Sequence, residues 1–323
     1  MGARGVEIIA APSNLGLRPP APGHEPGAWR APAALLSAGL AARLTPARMV
    51  ELPRPPYEFE EQPGTRIRNG RTIREHPLTL ADAVEDALSA SRSPVVLGGD
   101  CSIMLGSLLG ARRRGRCGLV HVDGHCDFFH PGNYDTASRL GSAAGMDLAL
   151  ATGRGELLLT RWPTIGLPLV PDEDVIQIGD REAEAPTGDV AVGDLLDPSI
   201  SQVTVQEILR TGVGLACERA VVHLDRRDLD RVWLHLDLDV LDQAIMPAVD
   251  SPGSPGLTFE QLTDLLSRLV ASGRVIGVDV TIYDPELDPD GQYLPGIVEC
   301  LGAGLKALRS SLLPLAGDEG ASR

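Results

Sequence analysis

Short apolar runs alternate with amphipathic stretches along the chain. The runs are nearly continuous in Val, Ile and Leu and end in glycine or polar residues, which is typical of strands buried inside a parallel sheet. They predict strands at 6–11, 49–52, 94–98, 117–123, 174–178, 232–236 and 275–282. Because helical patterns separate the strands, we expect a three-layer α/β/α fold with a mostly parallel sheet.

Helices are predicted where apolar residues recur every three or four positions. The clearest example is 258–272, in which large apolar side chains would share one face of a helix. Further helices are predicted at 29–44, 79–91, 103–113, 145–152, 205–209, 214–224 and 297–313. Residues 53–77 have no such period and are predicted as a loop, with Thr79 as the N-cap of the next helix.

Length, composition and charge narrow the class of protein. The chain has 323 residues without an evident linker, so we expect a single domain over 1–323. Its content of 43% hydrophobic and 23% charged residues is that of a soluble globular protein. The net charge of −15 argues against nucleic acid or an anionic membrane as a partner. No apolar run approaches the roughly 18 residues of a membrane span, and 1–9 lack the apolar core of a signal peptide, so we expect a cytoplasmic protein.

Two predicted strands run directly into alternating histidine and aspartate residues. The sixth predicted strand runs through His235 directly into Asp237 and Asp239, and residues 121–127 place two histidines and two aspartates at the end of the fourth. Side chains two residues apart on a strand point to one face, so these carboxylates would repel each other without a cation between them. A lone DxD is usually a salt-bridge or capping feature, but two such clusters after buried strands are harder to dismiss.

The number and type of these groups predict two cations. Four carboxylates and one imidazole exceed what one ion needs, and oxygen-rich ligation with one imidazole favours Mn²⁺ over Zn²⁺. Open α/β sheets bind ligands at the carboxyl ends of their strands, where both clusters lie. A TIM barrel is the main alternative fold, but irregularly spaced, glycine-rich strand exits give it less weight.

Three motifs in chain order resemble those of a known family. GGDCS at 98–102, VDGHCD at 122–127 and DLDVLD at 237–242 resemble the GGDHS, DAHxD and DxDxxDP motifs of the arginase/agmatinase (ureohydrolase) family. Weaker similarity extends over 11–40, 247–257 and 277–285. The resemblance implies two manganese ions per subunit and hydrolysis of a C–N bond in a small guanidino or amidino compound, releasing urea or a related product. It also implies that the protein could form a homo-oligomer.

The resemblance also assigns roles to individual residues. One ion would be held by Cys101, Asp123, Asp127 and Asp237, and the other by Asp123, His125, Asp237 and Asp239. A hydroxide between the ions would attack the amidine carbon. Asp127 and Asp239 are expected to act in catalysis as well as in metal binding.

Cys101 and Ala144 depart from the family pattern. Cys101 stands where the family usually has a histidine ligand, and a thiolate either still binds the metal or leaves the first site weak. Ala144 stands where arginases have a histidine that carries protons. His130 is the nearest replacement and the third catalytic candidate, although it could equally be a loop histidine without a role.

A further departure concerns the group that recognises the substrate. The late strand of the family reads D-[IV]-x-E-x-N-P, and its glutamate grips the guanidinium group, but here Ile282 occupies that position. Either another acid neutralises the substrate, with Glu182, Asp250 and Glu286 as candidates, or the substrate is not a plain guanidinium compound.

The sequence thus predicts a metal-dependent amidinohydrolase whose substrate is neither arginine nor agmatine. Two alternatives stay open. One is a formimino or amide C–N hydrolase that uses the same metal centre. The other is a catalytically silent homologue that binds metal.

Overall fold

The fold is built on a sheet of eight strands, seen in a computed structural model that describes residues 5–183 and 197–310. The strands are β1 (Gly5–Ala11), β2 (Arg48–Glu51), β3 (Arg92–Gly98), β4 (Gly118–Val122), β5 (Val175–Ile178), β6 (Ser201–Val203), β7 (Val232–Asp237) and β8 (Val275–Thr281). Their order across the sheet is β2-β1-β3-β8-β7-β4-β5-β6, and every neighbouring pair is parallel.

Helices cover both faces of this sheet. They are α1 (Ala31–Ser37), α2 (Leu40–Leu44), α3 (Gly70–Ser89), α4 (Met104–Arg113), α5 (Asp147–Ala151), α6 (Leu157–Thr160), α7 (Val205–Thr211), α8 (Val213–Arg226), α9 (Phe259–Ala271) and α10 (Leu294–Gly304). Alternate residues of β1 belong to two different apolar cores, with Val6 and Ile8 in one and Ile9 and Ala11 in the other. The predicted three-layer α/β/α class is therefore confirmed.

The predicted start of α3 is wrong. The helix begins at Gly70, so part of the stretch predicted as loop is helical, Pro77 lies inside the helix and Thr79 does not cap it. Gly106 of α4 lies against Pro77, where an added Cβ would come within 2.8 Å of the proline backbone. Close helix packing thus outweighs the helix-breaking tendency of proline, because most helical stability in proteins comes from tertiary contacts.

Other boundaries differ in smaller ways. The helix predicted at 29–44 is divided at Gly39, whose φ of 95° suits glycine and ends the first segment. The short elements β6 and α6 were not predicted as such. The last predicted helix ends at Gly304 and is followed by a 3-10 turn at Lys306–Ser310, and 311–313 lie outside the described residues.

The order of the strands positions the site. β3, β8, β7, β4 and β5 are consecutive in the sheet, so their carboxyl ends lie side by side at one edge. His121 of β4 is in register with His235 of β7, which is in register with Asp279 of β8. Within the described residues, no helix combines the length and apolar character needed to cross a bilayer. The expectation of a single domain stays a prediction.

Candidate metal centre

The ends of β4 and β7 turn in the same way. Asp237 accepts a hydrogen bond from the backbone N–H of Asp239 at 2.7 Å, and Asp123 accepts one from the backbone N–H of His125 at 2.6 Å. In each case the aspartate side chain caps the turn that follows its strand, which keeps the DxD and DxH side chains together at the strand end.

Two groups of side chains at this edge have the geometry of metal ligands. The ligand atoms of Cys101, Asp123 and Asp237 lie within 4.8 Å of one another, and so do those of Asp123, His125 and Asp239. The Cys101 thiol lies 2.8 Å from Oδ2 of Asp237, and Nδ1 of His125 lies 2.9 Å from Oδ2 of Asp239. Asp123 belongs to both groups, as a bridging ligand would.

Asp127 lies apart from the group that the sequence predicted for it. Its backbone has a φ of 45°, and its ligand atoms come together with those of His121 and Asp147. It still lines the cavity above the metal-ligand groups. Its predicted place in the first ion's ligand set stays a prediction.

The charges at this edge need compensation. Burial, followed by the neighbouring Asp239, raises the pKa of Asp123 to about 6, and burial raises the pKa of Asp237 well above its usual value. Burial and then Asp237 also raise the pKa of the Cys101 thiol. Burial opposes the charge on His125, but Asp239 outweighs it and raises the pKa of the imidazole to about 9. Acids crowded in this way fit a site for divalent cations, which would allow all of them to ionise.

Asp239 is the exception among these acids. Burial opposes its ionisation, but His125 and then Arg181 outweigh burial and lower its pKa. Arg181 is itself buried and donates to the backbone carbonyl of Asp239, and Oδ1 of Asp239 accepts from the backbone N–H of Gly124 at 3.1 Å. Asp239 is therefore held as a carboxylate that points at His125.

A cavity of about 360 Å³ opens above these groups. Its floor includes Cys101, His125, Asp127, Asp237 and Asp239. Three of the residues considered for contact with substrate, which are Glu182, Asp250 and Ile282, also line it. Burial raises the pKa of Asp250. The structure therefore brings the predicted metal and substrate residues together around one cavity.

Two sequence candidates lie elsewhere. Among the described residues that line the cavity, neither His130 nor Glu286 is present. Nδ1 of His130 accepts the backbone N–H of Gly132 at 3.0 Å, and Glu286 is paired with His24 and Arg30. The shuttle role of His130 and the substrate role of Glu286 thus gain no support from their positions.

Ile282 forms part of the cavity wall in an unusual conformation. Its φ is 76°, which is rare for a β-branched residue, and its backbone N–H donates to the carbonyl of Gly99 at 2.6 Å. The side chain is only 3% exposed. The wall where the family motif has an acid is therefore apolar and fixed by the backbone.

Sequence reasoning missed Asp147 altogether. Its carboxylate lies 3.3 Å from His121 and 3.5 Å from His235, and all three side chains are fully buried. The sequence did carry one signal for it. Asp147 directly precedes the apolar stretch Leu148–Ala151, and an aspartate at such a position is not expected to face solvent.

Comparisons with known proteins agree with this geometry. The sequence model of the arginase family matches residues 5–300. An arginase from Bacillus caldovelox is 30% identical over 308 residues, which cover 92% of this chain and 97% of that protein. A native structure of Bacillus caldovelox arginase at pH 5.6 superposes with a TM-score of 0.80 and 28% identity, over 94% of this chain and 98% of that one.

A more distant structure matches in fold alone. Formimidoylglutamase from Bacillus subtilis superposes with a TM-score of 0.71 at 18% identity, over 97% of this chain and 89% of that one.

The family match covers nearly the whole chain, so the protein belongs to the arginase family. Members of this metal-dependent family are hydrolases that act on C–N bonds in amidines and guanidines, and the protein is an enzyme of that class.

Proposed function

We propose that the protein is a manganese-dependent hydrolase that cleaves a C–N bond in a small guanidino or amidino compound other than arginine or agmatine. The observation that carries the proposal is the contrast within one cavity. Its floor has two ligand groups that share Asp123, whereas its wall has Ile282 where the family motif has an acid.

The ion sites that the family resemblance implies contain both ligand groups and add Asp127 to one and Asp237 to the other. Cys101, Asp123, Asp127 and Asp237 would hold one ion, and Asp123, His125, Asp237 and Asp239 the other. The set is rich in oxygen with one imidazole, which suits Mn²⁺. Bound divalent cations polarise a substrate and lower the pKa of water, so hydrolysis can proceed at neutral pH.

The protein's own side chains bind the substrate and move protons. Ile282 excludes water from one side of the amidine carbon but offers it no charge. Glu182 and Asp250 are the acids outside the ligand groups that line the described cavity, and they would contact a basic part of the substrate. When water adds to the carbon and the C–N bond breaks, Asp127 would take a proton from the water and pass it to the leaving nitrogen.

Ile282 also favours a second candidate, hydrolysis of a formimino or amide C–N bond. An amide is neutral and needs no fixed anion beside it, so an apolar wall would not penalise it. A formimino group is basic like a guanidine and would depend on the other acids that line the cavity. The two candidates differ in their products. Guanidine hydrolysis releases urea or a substituted urea, formimino hydrolysis releases formamide or ammonia, and amide hydrolysis leaves a carboxylic acid.

The decisive experiment is a substrate panel with a product assay. Protein purified without chelator and supplied with Mn²⁺ would be tested on guanidino, hydroxyguanidino, formimino and amide compounds, with urea, formamide and ammonia measured separately. We expect turnover of a guanidino or amidino compound that exceeds turnover of arginine and agmatine. An absence of bound divalent ion together with no turnover on the whole panel would refute the proposal.

A further inference from the structure

A second cluster of ionisable side chains lies one pleat further into the sheet than the metal-ligand floor. His121 and His235 precede Asp123 and Asp237 by two residues, so they are on the same face of the sheet. Their rings are stacked with centroids 4.9 Å apart. This cluster is fully buried and has no part in the function proposed above.

Asp147 connects the members of this cluster. Its Oδ1 lies 3.3 Å from Nε2 of His121, and its Oδ2 lies 3.5 Å from Nε2 of His235. On the other side of His235, Nδ1 lies 3.2 Å from Oδ1 of Asp279, which also accepts from the indole N–H of Trp233. Asp147 and Asp279 are thus buried, and within the described chain the imidazoles of His121 and His235 are the only basic groups at ion-pair distance from them.

The hydrogen bonds within the cluster leave four of its polar atoms without a partner among the described residues. Oδ2 of Asp147 and Nε2 of His235 face each other, yet neither makes a hydrogen bond with a described residue. Nδ1 of His121 and Oδ2 of Asp279 are also without a hydrogen-bond partner in the described part of the chain. Buried polar atoms without partners are destabilising, so the facing pair, Oδ2 of Asp147 and Nε2 of His235, points to a ligand between them.

The atoms around that point are metal ligands of a particular kind. Sγ of Cys101, a carboxylate oxygen of Asp147 and an imidazole nitrogen of His235 lie within 4.8 Å of one another. Thiolate, carboxylate and imidazole together form a softer donor set than the oxygen-rich floor, and it is one that Zn²⁺ commonly takes. We propose that Cys101, Asp147 and His235 form a further divalent-cation site, selective for a thiophilic ion such as Zn²⁺.

This site would adjoin the floor without replacing it. Cys101 also belongs to the group with Asp123 and Asp237, so its sulfur is the group common to both sites. Asp147 and Asp279 are outside both manganese ligand sets, so the two manganese ions do not account for their charge. The negative charge of Asp147 and Asp279 can be compensated by a cation bound between Asp147 and His235, or by a doubly protonated His235. The two are mutually exclusive, because a ring nitrogen that binds a metal carries no proton, and metal analysis distinguishes them.

The first test counts ions in the whole protein. Metal-stripped protein would be loaded with excess Mn²⁺ and one equivalent of Zn²⁺, desalted, and analysed by elemental mass spectrometry. We expect the wild type to retain one Zn²⁺ per chain in addition to Mn²⁺, and Asp147→Asn to lose the Zn²⁺ but keep the Mn²⁺. Asp174→Asn is the matched control, because Asp174 is also a buried aspartate but is paired with Arg116 and Arg227 away from both clusters.

Loss of Zn²⁺ by the wild type under excess Mn²⁺ would overturn the proposal, and this result needs no variant to fold. Equal Zn²⁺ content in the wild type and Asp147→Asn would also overturn it. Neither result depends on turnover, so a failure of the proposed function would leave the ion count to be judged by itself.

The second test follows the sulfur directly. Co²⁺ bound by a thiolate has a sulfur-to-metal charge-transfer band in the near ultraviolet, which Mn²⁺ sites made of oxygen and nitrogen lack. We expect this band in Co²⁺-loaded wild type, its loss in Cys101→Ser, and a weaker band in Asp147→Asn, because Cys101 would then bind Co²⁺ in the floor alone. A band that persists unchanged in Asp147→Asn would show that Cys101 serves only the floor, which contradicts the proposed site.

Discussion

The neighbouring ends of β7 and β8 face one cavity with opposite chemistry. β7 ends in Asp237 and the turn that carries Asp239, whereas β8 ends in Thr281 and is followed by Ile282. The first end offers carboxylates to cations, and the second offers an apolar side chain to the substrate. In the proposed function, metal binding and substrate recognition therefore belong to different strands, and we expect substitutions to change one without the other.

The two ends also differ in how their backbones are held. At the β7 end, the Asp237 side chain caps its own turn, so the ligand and the turn support each other. At the β8 end, Ile282 has a φ of 76° and is fixed by a hydrogen bond to Gly99. Such a conformation costs on the order of 1–3 kcal/mol for a residue other than glycine. The position of the wall is therefore set by the backbone, and in the proposed function the side chain at position 282 determines what the wall recognises.

Removing a charge from the β7 end should have the largest effect. We expect Asp237→Asn to lower kcat/KM by at least about 100-fold, because an amide is a poorer cation ligand than a carboxylate and even indirect disruption of metal ligands costs 10–100-fold. The bound metal, measured by elemental analysis, should fall with the activity.

Asp242→Asn is the matched control from the same motif. Asp242 accepts hydrogen bonds from Ala244, Ser254 and Gly256 and does not line the described cavity, so the same chemical change should leave metal content within about twofold. If Asp237→Asn and Asp242→Asn lost metal equally, the division of roles between the β7 end and its loop would be wrong.

The pH dependence of metal binding tests the same floor without a substitution. In the metal-free protein, burial lowers the pKa of His125, but Asp239 outweighs burial and raises that pKa to about 9. Burial raises the pKa of Asp123 to about 6. A metal ligand must be a neutral imidazole or a carboxylate, so binding releases the proton of His125. Between pH 6 and 9, the apparent affinity for Mn²⁺ should rise about tenfold per pH unit or more, and calorimetric titration would measure it.

The stability of the metal-free protein should change in the opposite direction. The pKa of His125 is higher in the folded protein than in the unfolded chain, so its pair with Asp239 stabilises the fold fully below about pH 6.5. That contribution is lost as the pH rises through about 9.

The affinity prediction has its own contradicting outcome. An affinity for Mn²⁺ that is independent of pH, in the wild type and in His125→Asn alike, would contradict the assignment of His125 as a ligand.

The floor could be predicted from the sequence because its residues follow directly from strand geometry. Asp123 and Asp237 come at the ends of apolar runs, and the turns that they cap keep His125 and Asp239 beside them. Neighbouring strand ends meet in a parallel sheet, so these residues needed no knowledge of loops to be brought together.

The missed features depend on contacts that are distant in sequence. Helix α3 extends through Pro77 because Gly106 of α4 allows close packing, which no local propensity indicates. Asp147 joins the buried histidines only because α5 packs against the sheet at that point.

A substitution at the β8 end should have a smaller effect than those on the floor, and one of a different kind. We expect Ile282→Glu to raise kcat/KM for arginine or agmatine about tenfold over Ile282→Gln, because a hydrogen bond to a charged group contributes about 1.5–3 kcal/mol. The change should lie mainly in KM, since the new carboxylate would contact the substrate in the ground state as well as in the transition state.

The glutamine variant is needed because both substitutions alter the wall in the same way. Glu and Gln have nearly the same shape and would both adopt the positive φ of position 282, so backbone strain cancels when they are compared. Only the charge differs between them. If the two variants had equal kcat/KM for arginine and for agmatine while their metal content matched the wild type, charge at this wall would not decide the substrate. The selection would then depend on the acids at Glu182 and Asp250, which line the same cavity.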